Sequence, residues 1–161
     1  MALRILAIVT VLALVSTCWV GRAEAYVSGS SIADVARSNV GSTKWQYSSA
    51  HTTGRNTFKC NIFVADVLEE AGARVPRRWG GFGGPIGARE WGNPQSTYLR
   101  NARCWENRSS QRTGDVIAGG GHVGIVTGWE ETTSALSYEP VKSNDWGFRS
   151  GQSVTFWRYT C

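Results

Sequence analysis

The stretch GDVIAGGGHVGIVTGW (114–129) decides the fold class. Two β-rich runs, 114–118 and 122–129, flank a glycine triplet, which predicts an antiparallel hairpin. Two further runs, ALSYEP (135–140) and VTFWRY (154–159), read as strands. Upstream the pattern is different. FKCNIFVADVLEEAG (58–72) carries Ile62, Phe63, Val64, Val67, Leu68 and Ala71 on a wide apolar face, which predicts a buried helix from Cys60 with Gly72 at its C-terminal cap. SSIADVARSNVG (30–41) reads as a short helix capped by Ser30 or Ser31 and ended by Gly41. Residues 42–59 are polar and turn-rich. Residues 74–94 form a long Gly- and Pro-rich loop with a short helix at 85–91, and 94–102 form another short helix. Helices first and strands after predict an α+β fold, with N-terminal helices packed on an antiparallel sheet.

The chain has 161 residues. Its first 25 have the build of a secretory signal peptide: Arg4, a mostly apolar run from 5 to 20, and Ala23, Glu24 and Ala25 as a small-x-small cleavage site. The alternative is a membrane anchor. The apolar run is shorter than the roughly 20 residues that a span needs, and Thr10, Ser16 and Thr17 interrupt it. The expected mature chain, 26–161, suits a single domain with one core and has no linker, repeat or low-complexity tract. Removing Arg4, Arg22 and Glu24 leaves 17 − 2 basic against 12 − 1 acidic side chains, a formal charge of +4. A basic secreted protein is drawn to acidic polymers, although a solvated surface explains the same charge.

Cysteine usage narrows the reading. Cys18 leaves with the signal peptide, so Cys60, Cys104 and Cys161 remain. An oxidising route favours pairing, and an odd count leaves one thiol over. Cys161 follows the last strand and fits a staple to Cys104. That bridge closes a span of 57 positions and stabilises by roughly 4 kcal/mol on the chain-entropy model. Cys60 is then the free thiol; the alternative is that Cys60 pairs and one of the others is free.

A free thiol at a helix start meets unpaired N–H groups and the positive end of the helix dipole, which lower the thiol pKa. Cys60 is therefore a candidate nucleophile, against a bland reading as a small buried hydrophobe. Of the two histidines, His122 opens the second hairpin strand at the sheet rim, where an imidazole can face a helix packed on the sheet. A Cys–His pair of this kind performs acyl transfer. His51 lies in a polar loop and reads as a bystander.

KCNIFVADVLEEAG followed by GDVIAGGGHVGIVTG resembles the NlpC-type cysteine peptidases, papain-like amidases that cut bacterial peptidoglycan. GSTKW (41–45) ahead of KCNIFV is similar to the second family of type VI secretion amidase effectors, and to their secreted, domesticated arthropod versions. The resemblance spans about 41–160. It departs from the family at CNI (60–62), where CSG is common, and in carrying a signal peptide.

The resemblance implies a papain-like fold, Cys60 as nucleophile and His122 as base. It also implies a third polar residue on the strand after the histidine strand. Ser137, Glu139 and Asn144 are the candidates, and Glu139 is the strongest acceptor. The implied substrate is a stem peptide or cross-link of peptidoglycan.

Trp79, Phe82 and Trp91 in the glycine-rich loop are candidate substrate contacts, against a bland role in capping the core. Arg74, Arg77, Arg78 and Arg89 are candidate contacts to an acidic wall. No metal-ligand set, phosphate loop or nucleotide fingerprint is present in the sequence, so neither metal nor cofactor is expected. NRS (107–109) makes Asn107 a glycosylation candidate.

The expectation is thus a secreted, monomeric, antibacterial amidase of innate immunity. No nucleic-acid partner and no membrane anchor after cleavage are expected. The rival is a non-catalytic, basic, Trp-rich module that binds wall or glycan.

Overall fold

The computed structural model describes residues 26–161. The expected signal peptide and Cys18 lie outside the described residues. Six strands form one antiparallel sheet: β1 (Trp105–Arg108), β2 (Val116–Gly119), β3 (His122–Gly128), β4 (Glu131–Ser134), β5 (Lys142–Asn144) and β6 (Thr155–Tyr159). Their order across the sheet is β1-β6-β2-β3-β4-β5. The helices precede all of them: α1 (Gly29–Ser38), α2 (Cys60–Glu70), α3 (Ala88–Trp91) and α4 (Thr97–Arg100). The chain is α+β, as its order of periodicities predicts.

α2 starts on Cys60 and buries Ile62, Phe63, Val64, Ala65, Val67 and Leu68. It closes in a Schellman motif. Gly72, at φ 83°, donates its N–H to Glu69 O at 3.0 Å, and Ala73 donates to Leu68 O at 2.8 Å. In the hairpin Val116 pairs with Ile125 and Ala118 with Val123, so these four side chains share one sheet face. That face joins Ile32 and Ala36 of α1, Phe63 and Val67 of α2, and Trp157 of β6 in the core. The sheet is pinned to α1 through Gly114. It sits at φ 89°, and a Cβ there would come within 2.3 Å of the Gly29 Cα. The next residue, buried Asp115, accepts from Arg158 Nε and Nη2 at 2.8 and 2.7 Å, and ties the start of β2 to β6.

Several boundaries differ from the sequence expectation. No strand runs over 135–140. The pairing strand comes earlier, at Glu131–Ser134, because Trp129 and Glu130 (φ 49°) turn the chain back at once. β1 and β5 were not expected. Both are short, mostly polar edge strands, WENR and KSN, whose composition reads as loop and protects an edge from further pairing. The cap of α1 is Ser28, whose Oγ accepts from the Ser31 N–H at 3.0 Å, and not Ser30 or Ser31. The helices expected over 85–91 and 94–102 shrink to single turns.

Cys104 and Cys161 are joined in a disulfide, with Cα atoms 5.2 Å apart, and Cys60 is free. No helix among the described residues is long and apolar enough to cross a membrane.

Candidate active site

Cys60 is the first residue of α2. The residue ahead of it, Lys59, is only 2% exposed. Its ammonium donates to the carbonyls of Gln46, Tyr47 and Thr57 at 3.2, 3.4 and 3.1 Å. A buried cation held by three loop carbonyls thus fixes the entry to the helix, where no side-chain cap is present. Burial pulls the Lys59 pKa below its usual range.

The backbone amides of Val123, the residue after His122, and of Asn61 and Cys60 itself act to lower the pKa of the Cys60 thiol. The Cys60 thiol thus lies near the start of β3, where His122 stands, and it shares a cavity wall with Gly121. Burial raises the thiol pKa, and these three N–H groups only partly oppose it. The lowered pKa expected of a helix-initial cysteine does not hold, because the first turn of α2 is packed against the sheet. Burial likewise pushes His122 down to about 4. Both shifts favour a neutral thiol beside a neutral imidazole near pH 7.

His122 Nε2 lies 3.0 Å from Ser134 Oγ on β4. With Nε2–H donating to Ser134, Nδ1 is left as the basic nitrogen. Trp146 meets the ring edge-on, with centroids 4.6 Å apart and an interplanar angle of 88°. Its indole is placed by a turn in which Asn144 Oδ1 accepts from the Trp146 N–H at 2.8 Å. Thr132 Oγ1 donates to the Trp146 carbonyl at 2.8 Å.

Ser134 thus holds His122 Nε2, and among the described residues none of the expected candidates contacts the ring. Glu139 is exposed and pairs with Lys142. Its segment has already left the sheet, so its carboxylate is not delivered to the imidazole. Ser137 offers its carbonyl to the Tyr47 N–H at 2.7 Å, and Asn144 acts one step away through Trp146. His51 is held by Asp66, with Nε2 2.7 Å from Oδ2, and Trp45 Nε1 donates to the same oxygen at 2.9 Å.

Cys60 lines a cavity of about 440 Å³ with Phe58, Asn61, Arg78, Gly87, Ala88, Arg89, Glu90 and Gly121. One wall is stapled internally. Arg78 Nε and Nη2 donate to Glu90 Oε1 at 3.2 and 2.6 Å, and Glu90 Oε2 accepts from the Gly87 N–H at 3.0 Å. Burial disfavours the Glu90 carboxylate, but Arg78 and these backbone bonds outweigh it and hold its pKa below the usual range. Asn61 Nδ2 donates to Ile86 O at 3.3 Å and ties the same wall to α2.

This staple explains why the expected aromatic contacts do not line the cavity. It turns 87–90 toward Cys60 and leaves Trp79 and Phe82 projecting, 75% and 98% exposed. Trp91 is a core residue, 2% exposed, edge-on to Trp105 at 5.0 Å. Its carbonyl accepts from Trp157 Nε1 at 2.8 Å. A larger cavity, about 540 Å³, lies under Arg74, Arg77, Gly80, Gly81, Tyr98 and Trp105, but neither cysteine nor histidine lines it.

Asn107 lies exposed on edge strand β1, and its Nδ2 donates to Phe156 O at 3.1 Å, a bond that a glycan on that nitrogen would displace. Among the described residues no group of three His, Cys, Asp or Glu side chains is placed to hold a metal ion.

The chain matches no protein-family model, and no curated protein sequence matches it significantly.

Proposed function

We propose that this chain is a cysteine amidase of papain-like architecture, secreted and antibacterial, with peptidoglycan stem peptides or cross-links as its substrate. One observation carries the catalytic reading. The free helix-initial cysteine lies near the start of β3, sharing a cavity wall with Gly121, and the next residue, His122, has its Nε2 3.0 Å from Ser134 Oγ. A nucleophile, a base and an orienting group in this relation make up the unit that acyl transfer requires. The choice of peptidoglycan rests on the resemblance of KCNIFV and GDVIAGGGHVGIVTG to the NlpC-type amidases. Secretion rests on the N-terminal signal pattern, and the Cys104–Cys161 bridge agrees with it.

In the proposed reaction His122 Nδ1 takes the Cys60 proton as Sγ bonds to the substrate carbonyl carbon. Starting from a neutral pair, proton transfer accompanies attack. The Cys60 backbone N–H supports the oxyanion at the start of α2. The imidazolium then protonates the leaving amine as the C–N bond breaks. Water, deprotonated by His122, cleaves the thioester and returns the thiol. Ser134 keeps Nε2 engaged throughout, so that Nδ1 carries the proton in both steps.

The test is incubation of residues 26–161 with purified peptidoglycan, followed by chromatography and mass analysis of the muropeptides, with Cys60→Ala in parallel. Shortened stems or lost cross-linked dimers with wild type alone establish the amidase and name the bond. Unchanged muropeptides with both proteins, together with tight wall binding, overturn it in favour of a binding module.

A further inference from the structure

The cavity that Cys60 lines holds three charged side chains, and two of them are spent on each other. Arg78 and Glu90 form the bidentate staple, and the second Glu90 oxygen is taken by the Gly87 N–H. The third is Arg89, exposed on α3 between Ala88 and Glu90. Among the described residues no carboxylate forms an ion pair with Arg89, and no side chain or carbonyl hydrogen-bonds to it. Glu90 is the only acid lining the cavity, and its bonds to Arg78 and to the Gly87 N–H at the start of α3 keep it from turning to Arg89. The remaining lining residues are apolar or small, apart from Asn61, whose amide is engaged with Ile86 O. The cavity therefore presents one uncompensated guanidinium next to the nucleophile.

Resting on the amidase reading above, we infer that Arg89 selects amide substrates with a free carboxylate near the scissile bond and rejects the same substrates when that group is a carboxamide. A guanidinium offers a planar pair of N–H donors that matches both oxygens of a carboxylate. A carboxamide supplies one acceptor and sets an NH₂ donor against a donor, so one hydrogen bond is lost and no charge is neutralised. Losing a charge-assisted bond of this kind is worth about 10- to 100-fold in kcat/KM. Arg78 cannot replace Arg89, because turning toward substrate would leave Glu90 charged and unpaired in a partly buried wall.

Two stem peptides that differ only in carboxylate or carboxamide at the residue beside the cut bond provide the test. Wild type is expected to prefer the carboxylate peptide at least about tenfold in kcat/KM, and Arg89→Gln to bring that ratio close to one. Arg89→Lys should keep part of the preference, since it keeps the charge and loses the fork. Equal rates on both peptides with wild type, or an unchanged ratio in Arg89→Gln, overturn the inference. Calorimetric binding of the same peptides to Cys60→Ala separates this inference from the catalytic one. Equal affinities sink the role of Arg89, whereas a preserved carboxylate preference in Cys60→Ala, with wild type cutting neither peptide, sinks only the amidase.

Discussion

His122 is half of the proposed catalytic pair, and it also makes the fold sensitive to pH. Packed under Trp146 and tied to Ser134, it is held neutral in the folded chain, with burial setting its pKa at about 4 against 6.5 when free. The sign follows directly. Between these two values the unfolded chain binds a proton at this position that the folded chain does not, so stability rises with pH across the window. Above about pH 6.5 this contribution is complete, and it is lost as pH falls toward 4. The size of the shift corresponds to about 3 kcal/mol. Urea unfolding of wild type and His122→Gln, each at pH 4 and pH 7, isolates the effect from the carboxylates that titrate nearby. Wild type should lose about 3 kcal/mol more than the variant on acidification. Parallel losses in the two proteins would show that His122 is not buried in its neutral form.

At the scale of elements, the hairpin β3–β4 explains why Ser134 orients His122. Gly128 pairs with Glu131 across a two-residue turn, and an unbroken ladder from there would set Ser134 opposite Ile125, on the core face. Instead the register shifts between Val126 and Gly128, leaving Thr127 as an extra residue. Val126 then pairs with Thr132 and Ile125 with Thr133, which brings Ser134 opposite Gly124 on the face that His122 shares. The helix from Cys60 and the β2–β3 hairpin were legible because each has a strong local period and a glycine at its boundary. Ser134 was not, because a one-residue bulge reverses the facing of a strand and leaves no pattern in ETTS. The buried Trp91 was equally hidden, since a tryptophan in a glycine-rich loop carries no sign of which side of the chain it will fill. Gly124 is the tightest point of this arrangement: an added Cβ would lie 2.6 Å from Thr132 Cγ2 and 2.9 Å from Ser134 Cβ. Gly124→Ala is therefore expected to push β4 away, cost about 1–3 kcal/mol in stability and lower the turnover rate by loosening the hold on Nε2. If it acts through Ser134, the double variant with Ser134→Ala will turn over no more slowly than Ser134→Ala alone. Fully additive losses would place the effect of Gly124 elsewhere.

Across the whole molecule, covalent closure divides the proposed catalytic pair: the bridge encloses His122 and Ser134 and leaves Cys60 outside the loop. The loop closed by Cys104–Cys161 contains all six strands, from β1 at Trp105 to β6 at Tyr159, while all four helices and the Cys60 thiol lie before it. The bridge sits where edge strand β1 pairs with β6, and there Thr160 N–H donates to Cys104 O at 2.9 Å. The Cys161 carbonyl accepts from the Val27 N–H at 3.1 Å, which ties the start of the described chain to its end. Opening the bridge frees a span of 57 positions in the unfolded state, which lowers stability by roughly 4 kcal/mol. The first local consequence is fraying of β1, which has a single neighbour in the sheet. The proposed active-site rim is built from α2, β3 and β4, on the far side of β2 from β1, so reduction should leave the proposed catalytic geometry in place under native conditions. Cys104→Ser/Cys161→Ser is accordingly expected to unfold at a lower urea midpoint by roughly 4 kcal/mol, with faster amide exchange in β1 and a turnover rate close to wild type at low temperature. An unchanged midpoint would mean that the sheet closes as firmly without the bridge. A turnover rate that collapses while the protein stays folded would mean that the β1–β6 edge governs the position of His122 from across the sheet.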